Sequence, residues 1–291
     1  MSTTRQSLAT LPERRTAASV VIAERQEIGT LTNALHHLQR IANAPTPEEI
    51  WALLLAAMAE YGFDRVNYGF TRQKRENSVG DIQDALFLSN HDRSVTKEYF
   101  DAGFFMKTPM FRWVMTHTGA CSWRWAETER AAGRLSAEEL MSMDMTRRAG
   151  ITAGYSISFA EMSSRDKGAM GLTARAGLTQ DDVDAMWDAQ GDEVLAICNM
   201  MHLRITHMPF RVQRRPLSPR QREALEWVAE GKTTQDIAQI MNISPAMVEK
   251  HLRLARDVLD VETTAHAVAK ASMLNHIFSG DILTTADLSG R

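Results

Sequence analysis

The spacing of hydrophobic and polar residues divides the chain into a mixed region and a purely helical one. In the mixed region, apolar residues recur at helical spacing over 31–41, 50–61 and 181–206. Between the last two of these stretches, four short segments alternate as strands do: 63–70, 85–89, 154–159 and 169–174. Short strands with helices on either side predict an α+β fold, here an α/β/α sandwich with a central antiparallel sheet.

The second region, 217–275, contains only helical patterns. The four short patterns cover 220–230, 234–241, 245–259 and 264–274. Thr233 followed by Asp236 resembles a capping box at the start of the second helix. Ser244 before Pro245 suits the start of the third, because Pro is tolerated at the first helical position. We therefore predict a small all-α domain of four helices that contains a helix-turn-helix.

The third helical stretch, 245–259, is apolar on one side and charged on the other. Its apolar residues step by four, three and four positions: Val248, Leu252, Ala255 and Leu259. The charged residues point elsewhere: Glu249, Lys250, Arg253 and Arg256. Such a helix, set after a short turn, has the geometry to enter the major groove of DNA with its cations on phosphates. A charged helix face is also commonly just solvated, so the spacing alone favours neither interpretation.

The motifs of the second region resemble a known DNA-binding domain. They are LSPR at 217–220, WVAEGK at 227–232, IA at 237–238, IS at 243–244, HL at 251–252 and AVA at 267–269. These motifs are similar to the C-terminal domain of the LuxR family of transcription regulators, which implies binding to double-stranded DNA. Gln221 stands where the family usually has Glu, and Glu249 where it usually has Lys or Arg, which removes one expected phosphate contact. The candidate DNA-contacting residues are Thr233, Ser244, Met247, Glu249, Lys250, Arg253 and Arg256.

Residues 95–125 are dense in aromatic side chains, which for most of them indicates core packing. A pocket of apolar faces with a few Tyr and Trp polar groups is also how proteins hold small molecules. Tyr99, Phe104, Thr108-Pro109 and Ser122-Trp123 have the spacing of the autoinducer-binding domain that precedes the LuxR-type module, in a looser match over about residues 35–205. The first region thus resembles a sensor domain.

Two positions depart from that sensor family. The family has a Trp four residues before the first Tyr, for the lactone carbonyl, and an Asp before the Pro, for the amide of an N-acyl homoserine lactone. Here these positions hold Val95 and Thr108, and losing both contacts would weaken such a lactone on the order of a hundredfold. We therefore expect a retained pocket with a different ligand, aromatic or otherwise apolar, to which Arg112 and Arg124 offer new polar contacts. The candidate ligand-contacting residues are Tyr68, His91, Val95, Tyr99, Phe104, Thr108, Pro109, Trp113, Trp123, Gly154 and Ser158.

A length of 291 residues suggests about two domains. The expected organisation is an N-terminal extension (1–30), a sensor domain (31–206), a basic linker (207–216), a helix-turn-helix domain (217–275) and a C-terminal tail (276–291). Residues 211–275 include ten Lys and Arg and eight Asp and Glu, which gives a net charge of +2. So mild a positive charge suits a homodimer that gains affinity by binding both halves of a palindromic operator.

Several classes of function find little support in the sequence. It has no Gly-rich phosphate loop, nucleophile motif or metal-ligand cluster, so we expect no enzyme, cofactor or metal. Cys121 and Cys198 lack partners at ligand spacing and are expected to be reduced thiols. No apolar run approaches the roughly 18 residues of a membrane span, and no secretion signal is apparent, so we expect a cytoplasmic protein without membrane contact.

Two hypotheses about function remain at this point. In the first, the chain is a ligand-responsive transcription regulator that dimerises through the sensor domain and through the fourth short helix of the second region, 264–274. In the second, the first region is a ligand-independent dimerisation scaffold and its aromatic residues serve only packing. Bound small molecules would distinguish the two.

Overall fold

The computed structural model describes residues 33–75, 78–92, 103–208 and 216–278. The predicted extension 1–30, most of the linker and the last part of the tail lie outside the described residues. So do two of the candidate ligand-contacting residues, Val95 and Tyr99. No helix in the described ranges is long and apolar enough to span a bilayer.

The first region is an α/β/α sandwich, as predicted. It opens with helix α1, described over 33–43, and α2 (Pro47–Glu60). The strands are β1 (Phe63–Thr71), β2 (Leu86–Ser89), β3 (Gly119–Ser122), β4 (Gly154–Ser158) and β5 (Lys167–Ala174). The other helices are α3 (Pro109–Thr116), α4 (Arg124–Ala131), α5 (Ala137–Arg148) and α6 (Gln180–Thr206). In the described part of the chain, all neighbouring strands are antiparallel, in the order β2-β1-β5-β4-β3.

Strand β3 and the three helices α3 to α5 are not among the elements predicted from the sequence pattern. Strand β3 has only four residues, Gly-Ala-Cys-Ser, and lies at the sheet edge, so it offers almost no alternation. Helix α3 does have a local start signal, because Thr108 caps it and Pro109 takes its first position. Helix α5 has one too, the Ser136–Glu139 capping box. Both helix starts are therefore marked by local signals in the sequence.

One face of the sheet packs tightly against α2 and α6. The Tyr155 ring on β4 stacks on Trp187 of α6 with centroids 3.9 Å apart. Phe159, just after β4, stacks on His202 at 4.2 Å, and the Tyr68 hydroxyl lies 2.8 Å from His202 Nδ1. These large side chains make this face the main core of the domain.

The other face of the sheet carries small residues where the first carries rings. The strand register places Gly69 opposite Ala169 and Asn67 opposite Gly171 at the centre of the sheet. Helices α3, α4 and α5 cover this face without filling it, because no large side chain rises from the central strands to meet them. A cavity therefore lies inside the sandwich.

The second region folds as the predicted four helices. They are α7 (Pro219–Ala229), α8 (Thr234–Ile240), α9 (Pro245–Leu259) and α10 (Thr264–Met273). Each follows a Ser or Thr N-cap whose side chain accepts a backbone N–H: Ser218, Thr233, Ser244 and Thr263. Gln221 accepts from the Ser218 N–H at 2.8 Å, so Gln serves the capping box as Glu would. The four apolar residues of the predicted α9 stripe are all buried.

Burial also determines how His202 titrates. The ring lies between Phe159 and Tyr68, and desolvation, with a smaller contribution from the charge of His207, lowers its pKa from 6.5 to about 4. His202 is therefore neutral at physiological pH in the folded chain.

The first prediction follows from this shift. Between pH 6.5 and about 4, the unfolded state holds a proton on His202 that the folded state lacks, so the free energy of unfolding should fall as the pH falls through this window. The full loss from one such group is on the order of 3 kcal/mol. His202→Gln should reduce the fall in stability, as measured by urea unfolding at several pH values. His266→Gln, at an exposed histidine of α10, is the control, and equal falls in both variants would contradict the assignment.

Candidate functional site

The cavity between the sheet and helices α3 to α5 has a volume of about 1260 Å³. Much of its wall is apolar and includes side chains of β2, of α3 and the turn before it, and of α5: Phe87, Phe105, Met110, Phe111, Val114 and Met143. This is at or above the usual size of small-molecule sites, and the apolar wall with a few polar groups matches their composition.

A row of polar side chains crosses the floor of the cavity. Ser89, Asn67, Gly171 and Ser156 lie side by side on β2, β1, β5 and β4. The Asn67 Oδ1 accepts a hydrogen bond from the Gly171 N–H at 2.9 Å, which leaves its amide N–H groups as donors. A Cβ at position 171 would lie only 2.4 Å from that oxygen, so glycine is required for the Asn67 side chain to lie across the strand.

Trp123 closes one end of this row. Its indole N–H donates to Ser156 Oγ at 3.0 Å, and its ring lies over Gly154, where a Cβ would come within 2.9 Å of it. Indole has a single donor, so the Ser156 hydroxyl hydrogen is the group left for a ligand at this end.

Thr108 lines the cavity but its hydroxyl is engaged in local structure. Its Oγ1 accepts from the Phe111 N–H at 3.0 Å and donates to the Phe105 carbonyl at 2.9 Å. The side chain is therefore an N-cap for α3 whose only donor is already used. It carries no charge with which to hold a ligand amide.

His91 supplies a different kind of polar group. Its ring lines the cavity next to Ser89, and its Nε2 is buried without a hydrogen-bond partner among the described residues. Burial, and to a smaller extent the charge of Arg65, lowers the pKa of His91 to about 4. The ring is neutral at physiological pH and offers one donor and one acceptor.

The charged side chains at the cavity wall are paired with one another or with neighbours. Arg124 binds Asp184 at 2.7 Å and also Asp181, while Arg147 binds Glu127 at 3.0 Å. The buried Lys167 ammonium lies 2.9 Å from Glu161. Arg112 does not line the cavity at all, because it pairs with Glu139 at 2.8 Å. In the described wall, no charge is left to neutralise a charged ligand.

The structure brings together only some of the candidate ligand residues. His91, Thr108, Pro109 and Trp123 line the cavity. Five others do not line it: Tyr68, Phe104, Trp113, Gly154 and Ser158.

Each of these five residues has contacts that place it away from the cavity. Tyr68 lies on the packed face of the sheet, bound to His202, and Trp113 stacks on His117 at 5.0 Å. Gly154 lies under Trp123, and Ser158 donates to the Val114 and His117 carbonyls at the end of α3. Phe104 lies beside Lys107, and its neighbour Phe105 takes the place in the wall.

In the second region, α9 presents an exposed face with mixed charge. Lys250 and Arg253 are exposed, and Arg253 pairs with Asp257 at 3.2 Å. Glu249 accepts from the Thr234 hydroxyl of α8 at 2.9 Å, and it lies one residue before Lys250 and one helical turn before Arg253 along α9. Met247 near the start of α9 is also 39% exposed, so it remains accessible to a partner.

Three other DNA candidates have roles within the fold. The hydroxyls of Thr233 and Ser244 cap α8 and α9. Arg256 donates to the Thr264 hydroxyl of α10 at 2.8 Å, so it is turned away from Lys250 and Arg253. The exposed cations that best suit phosphate contacts are therefore Lys250 and Arg253.

Comparisons with known proteins cover both regions. A family model described as "Autoinducer binding domain" matches residues 46–205, and one described as "Bacterial regulatory proteins, luxR family" matches residues 215–271. The transcriptional activator protein AnoR of Acinetobacter nosocomialis is 24% identical over 232 residues, which cover 78% of this chain and 91% of AnoR. The quorum sensing-dependent transcriptional regulator RpaR of Rhodopseudomonas palustris is 34% identical over 136 residues, 46% of this chain and 53% of RpaR. Among solved structures, Escherichia coli SdiA has a TM-score of 0.47 and 16% identity, covering 86% of this chain and 100% of that one.

The second prediction concerns the exposed face of α9. Replacing both Lys250 and Arg253 by Ala should weaken binding to double-stranded DNA and lower the slope of log affinity against log salt by about two, one for each lost phosphate contact. Fluorescence anisotropy at several salt concentrations measures both. Arg130→Ala with Arg148→Ala makes the same change in net charge at exposed sites of α4 and α5 and is the control. If both pairs of substitutions give the same loss, α9 is not the DNA-contacting helix.

Proposed function

Because this chain belongs to the LuxR family of transcription regulators and carries an autoinducer-binding domain, we propose that it binds an uncharged, largely apolar small molecule other than a standard N-acyl homoserine lactone. The sensor domain regulates how the helix-turn-helix domain binds DNA. Like its relatives AnoR and RpaR, the chain is a transcription regulator rather than an enzyme.

The observation that carries the ligand proposal is the state of Thr108. The resemblance places it where the family has an Asp, and its hydroxyl is already engaged with Phe105 and Phe111. A ligand amide at this position would meet a neutral oxygen that already accepts one bond, and a poorly paired buried amide costs about 1–3 kcal/mol.

The pairing of the charged wall residues supports an uncharged ligand. A carboxylate or ammonium in the cavity would lose its hydration and find Arg124, Arg147 and Lys167 already neutralised by acidic partners. Neutral hydrogen-bonding groups remain at Asn67, Ser156 and His91. A molecule with an apolar body and one or two carbonyl or hydroxyl groups therefore fits best.

We propose that the DNA-bound form is a homodimer on a palindromic operator. The exposed face of α9 combines two cations with two acidic residues, Glu249 and Asp257, so a single helix has little net attraction for phosphates. Two linked helices that bind adjacent half-sites gain affinity that neither has alone.

A ligand-independent scaffold is the alternative. A domain needed only for dimerisation has no use for a half-open apolar cavity of this size, because larger side chains that filled it would stabilise the fold. The volume of about 1260 Å³ and the row of Asn67, Gly171 and Ser156 therefore favour a binding role.

The third prediction tests the ligand. N-octanoyl homoserine lactone at micromolar concentration should raise the melting temperature of the unaltered chain by about 1 °C or less. A ligand at a hundred times its dissociation constant adds about 2.7 kcal/mol, or roughly 5–10 °C for a domain of this size. Val95→Trp with Thr108→Asp should increase the shift, and Asp at position 108 still caps α3.

Val95→Trp with Thr108→Asn is the matched control for that experiment. Asn also caps a helix and has the shape of Asp but no charge, so it should restore less of the lactone's effect. A large shift with the unaltered chain would refute the proposed change of ligand. Native mass spectrometry of the chain purified from its host would show whether a small molecule stays bound, and a chain without one would favour the scaffold.

The fourth prediction concerns the operator. Selection from a random pool of duplexes should recover an imperfect palindrome with half-site centres about one helical turn, or roughly 10 base pairs, apart. Analytical ultracentrifugation of the complex should give two chains per duplex. Recovery of a single non-repeated half-site would argue against the homodimer.

A further inference from the structure

A buried ion pair joins the two regions of the chain. The Lys270 ammonium on α10 lies 2.6 Å from Asp84 Oδ2, just before β2, and the side chains are 11% and 1% exposed. Asp84 Oδ2 also accepts from the Gln73 side chain at 3.1 Å. A buried acid and base that lose each other are each left with an uncompensated charge, so the pair holds α10 against the sensor domain.

A second set of contacts surrounds the end of the same helix. The Arg72 guanidinium, at the end of β1, donates to the carbonyl of Met273 in α10, to Asn275 Oδ1 at 3.2 Å and to the carbonyl of Thr206 in α6 at 2.7 Å. Asn275 in turn donates to the Thr206 carbonyl at 2.9 Å. Arg72 therefore ties the end of α10 to the sheet and to the end of α6.

These contacts begin one residue away from the ligand cavity. Thr71 lines the cavity, and its hydroxyl donates to the Val79 carbonyl at 2.8 Å and accepts from the Gln73 N–H at 3.0 Å. Val79 and Ile82 line the cavity as well. The backbone that carries Arg72 and Asp84 to α10 is thus part of the cavity wall.

The docked arrangement leaves the functional faces of the second region accessible. Lys250 and Arg253 are exposed on α9, and Ala265, Ala269 and Ser272 are exposed along another face of α10. Docking therefore fixes the domain without covering the helix that contacts DNA.

We propose that Arg72, Gln73 and Asp84 form a docking site for the C-terminal half of α10, through which occupation of the cavity fixes the orientation of the DNA-binding domain. A molecule that touches Thr71 and Val79 favours the ordered form of this wall, and that form holds α10. The link to a ligand rests on the function proposed above, whereas the docking itself does not.

A double-mutant cycle in the full chain tests the docking. Lys270→Met and Asp84→Asn should each lower the melting temperature. The double variant should lower it by much less than the sum of the two single decreases, because it leaves no unpaired charge. Lys107→Met is the matched control, since Lys107 is 40% exposed in its pair with Glu138. Additive shifts, or a Lys270→Met shift no larger than that of the control, would overturn the docking.

Hydrogen exchange in the same full chain tests the link to the cavity. Thr71→Val removes the hydroxyl that organises Gln73 and Val79, and it should speed exchange at the C-terminal amides of α10 about tenfold, as Asp84→Asn should. Thr146→Val, at a cavity threonine on α5, is the control and should leave α10 unchanged. If Thr71→Val affects only amides of β1 and its neighbours, the link to the cavity is refuted and the docking stands. A chain that binds no small molecule would refute the proposed function but neither of these results.

Discussion

The first region depends on a sheet that is covered on both faces and densely packed on only one. On the packed face, the stacks of Tyr155 on Trp187 and Phe159 on His202 supply the burial that stabilises the domain. On the other face, glycine at 69 and 171 removes side chains from the two central strands. Glycine in a strand weakens it, and the rings on the opposite face offset that cost. The floor of the cavity is therefore formed by the strands themselves.

The difference between the packed face and the cavity face of the sheet explains which parts of the site can be predicted from the sequence. Strands β1, β2, β4 and β5 are predictable because alternate residues along each of them, on the packed face, are mostly large and apolar, whereas β3 has no such pattern. The cavity face has Asn67, Ser89 and Ser156 at alternate positions, and in an antiparallel sheet such residues normally indicate the solvent side. Sequence alone therefore gives no reason to place them inside. The position of Tyr68 on the packed face also cannot be read from the sequence, since its partner His202 lies 134 positions away and leaves no local signal.

The helix-turn-helix domain is predictable in more detail because its boundaries are set locally. Each helix begins at a Ser or Thr N-cap whose side chain accepts a backbone N–H within the next four residues. The turn between α8 and α9 needs only Asn242 at positive φ. What the sequence could not give is the docking of α10. Lys270 and Asp84 are separated by most of the chain, and each alone resembles an ordinary surface charge.

The hydrogen bond from Thr234 to Glu249 has a consequence for how the protein searches a genome. A carboxylate held on α9, one residue before Lys250 and one turn before Arg253, weakens the attraction of this helix to any phosphate backbone, whatever the DNA sequence. Because a genome offers about 10⁶–10⁹ competing sites, a regulator that adheres less to all of them leaves more of its molecules free to occupy the few correct ones. Glu249 thus lowers the overall affinity for DNA and, with it, the fraction of the protein that is bound to non-specific DNA.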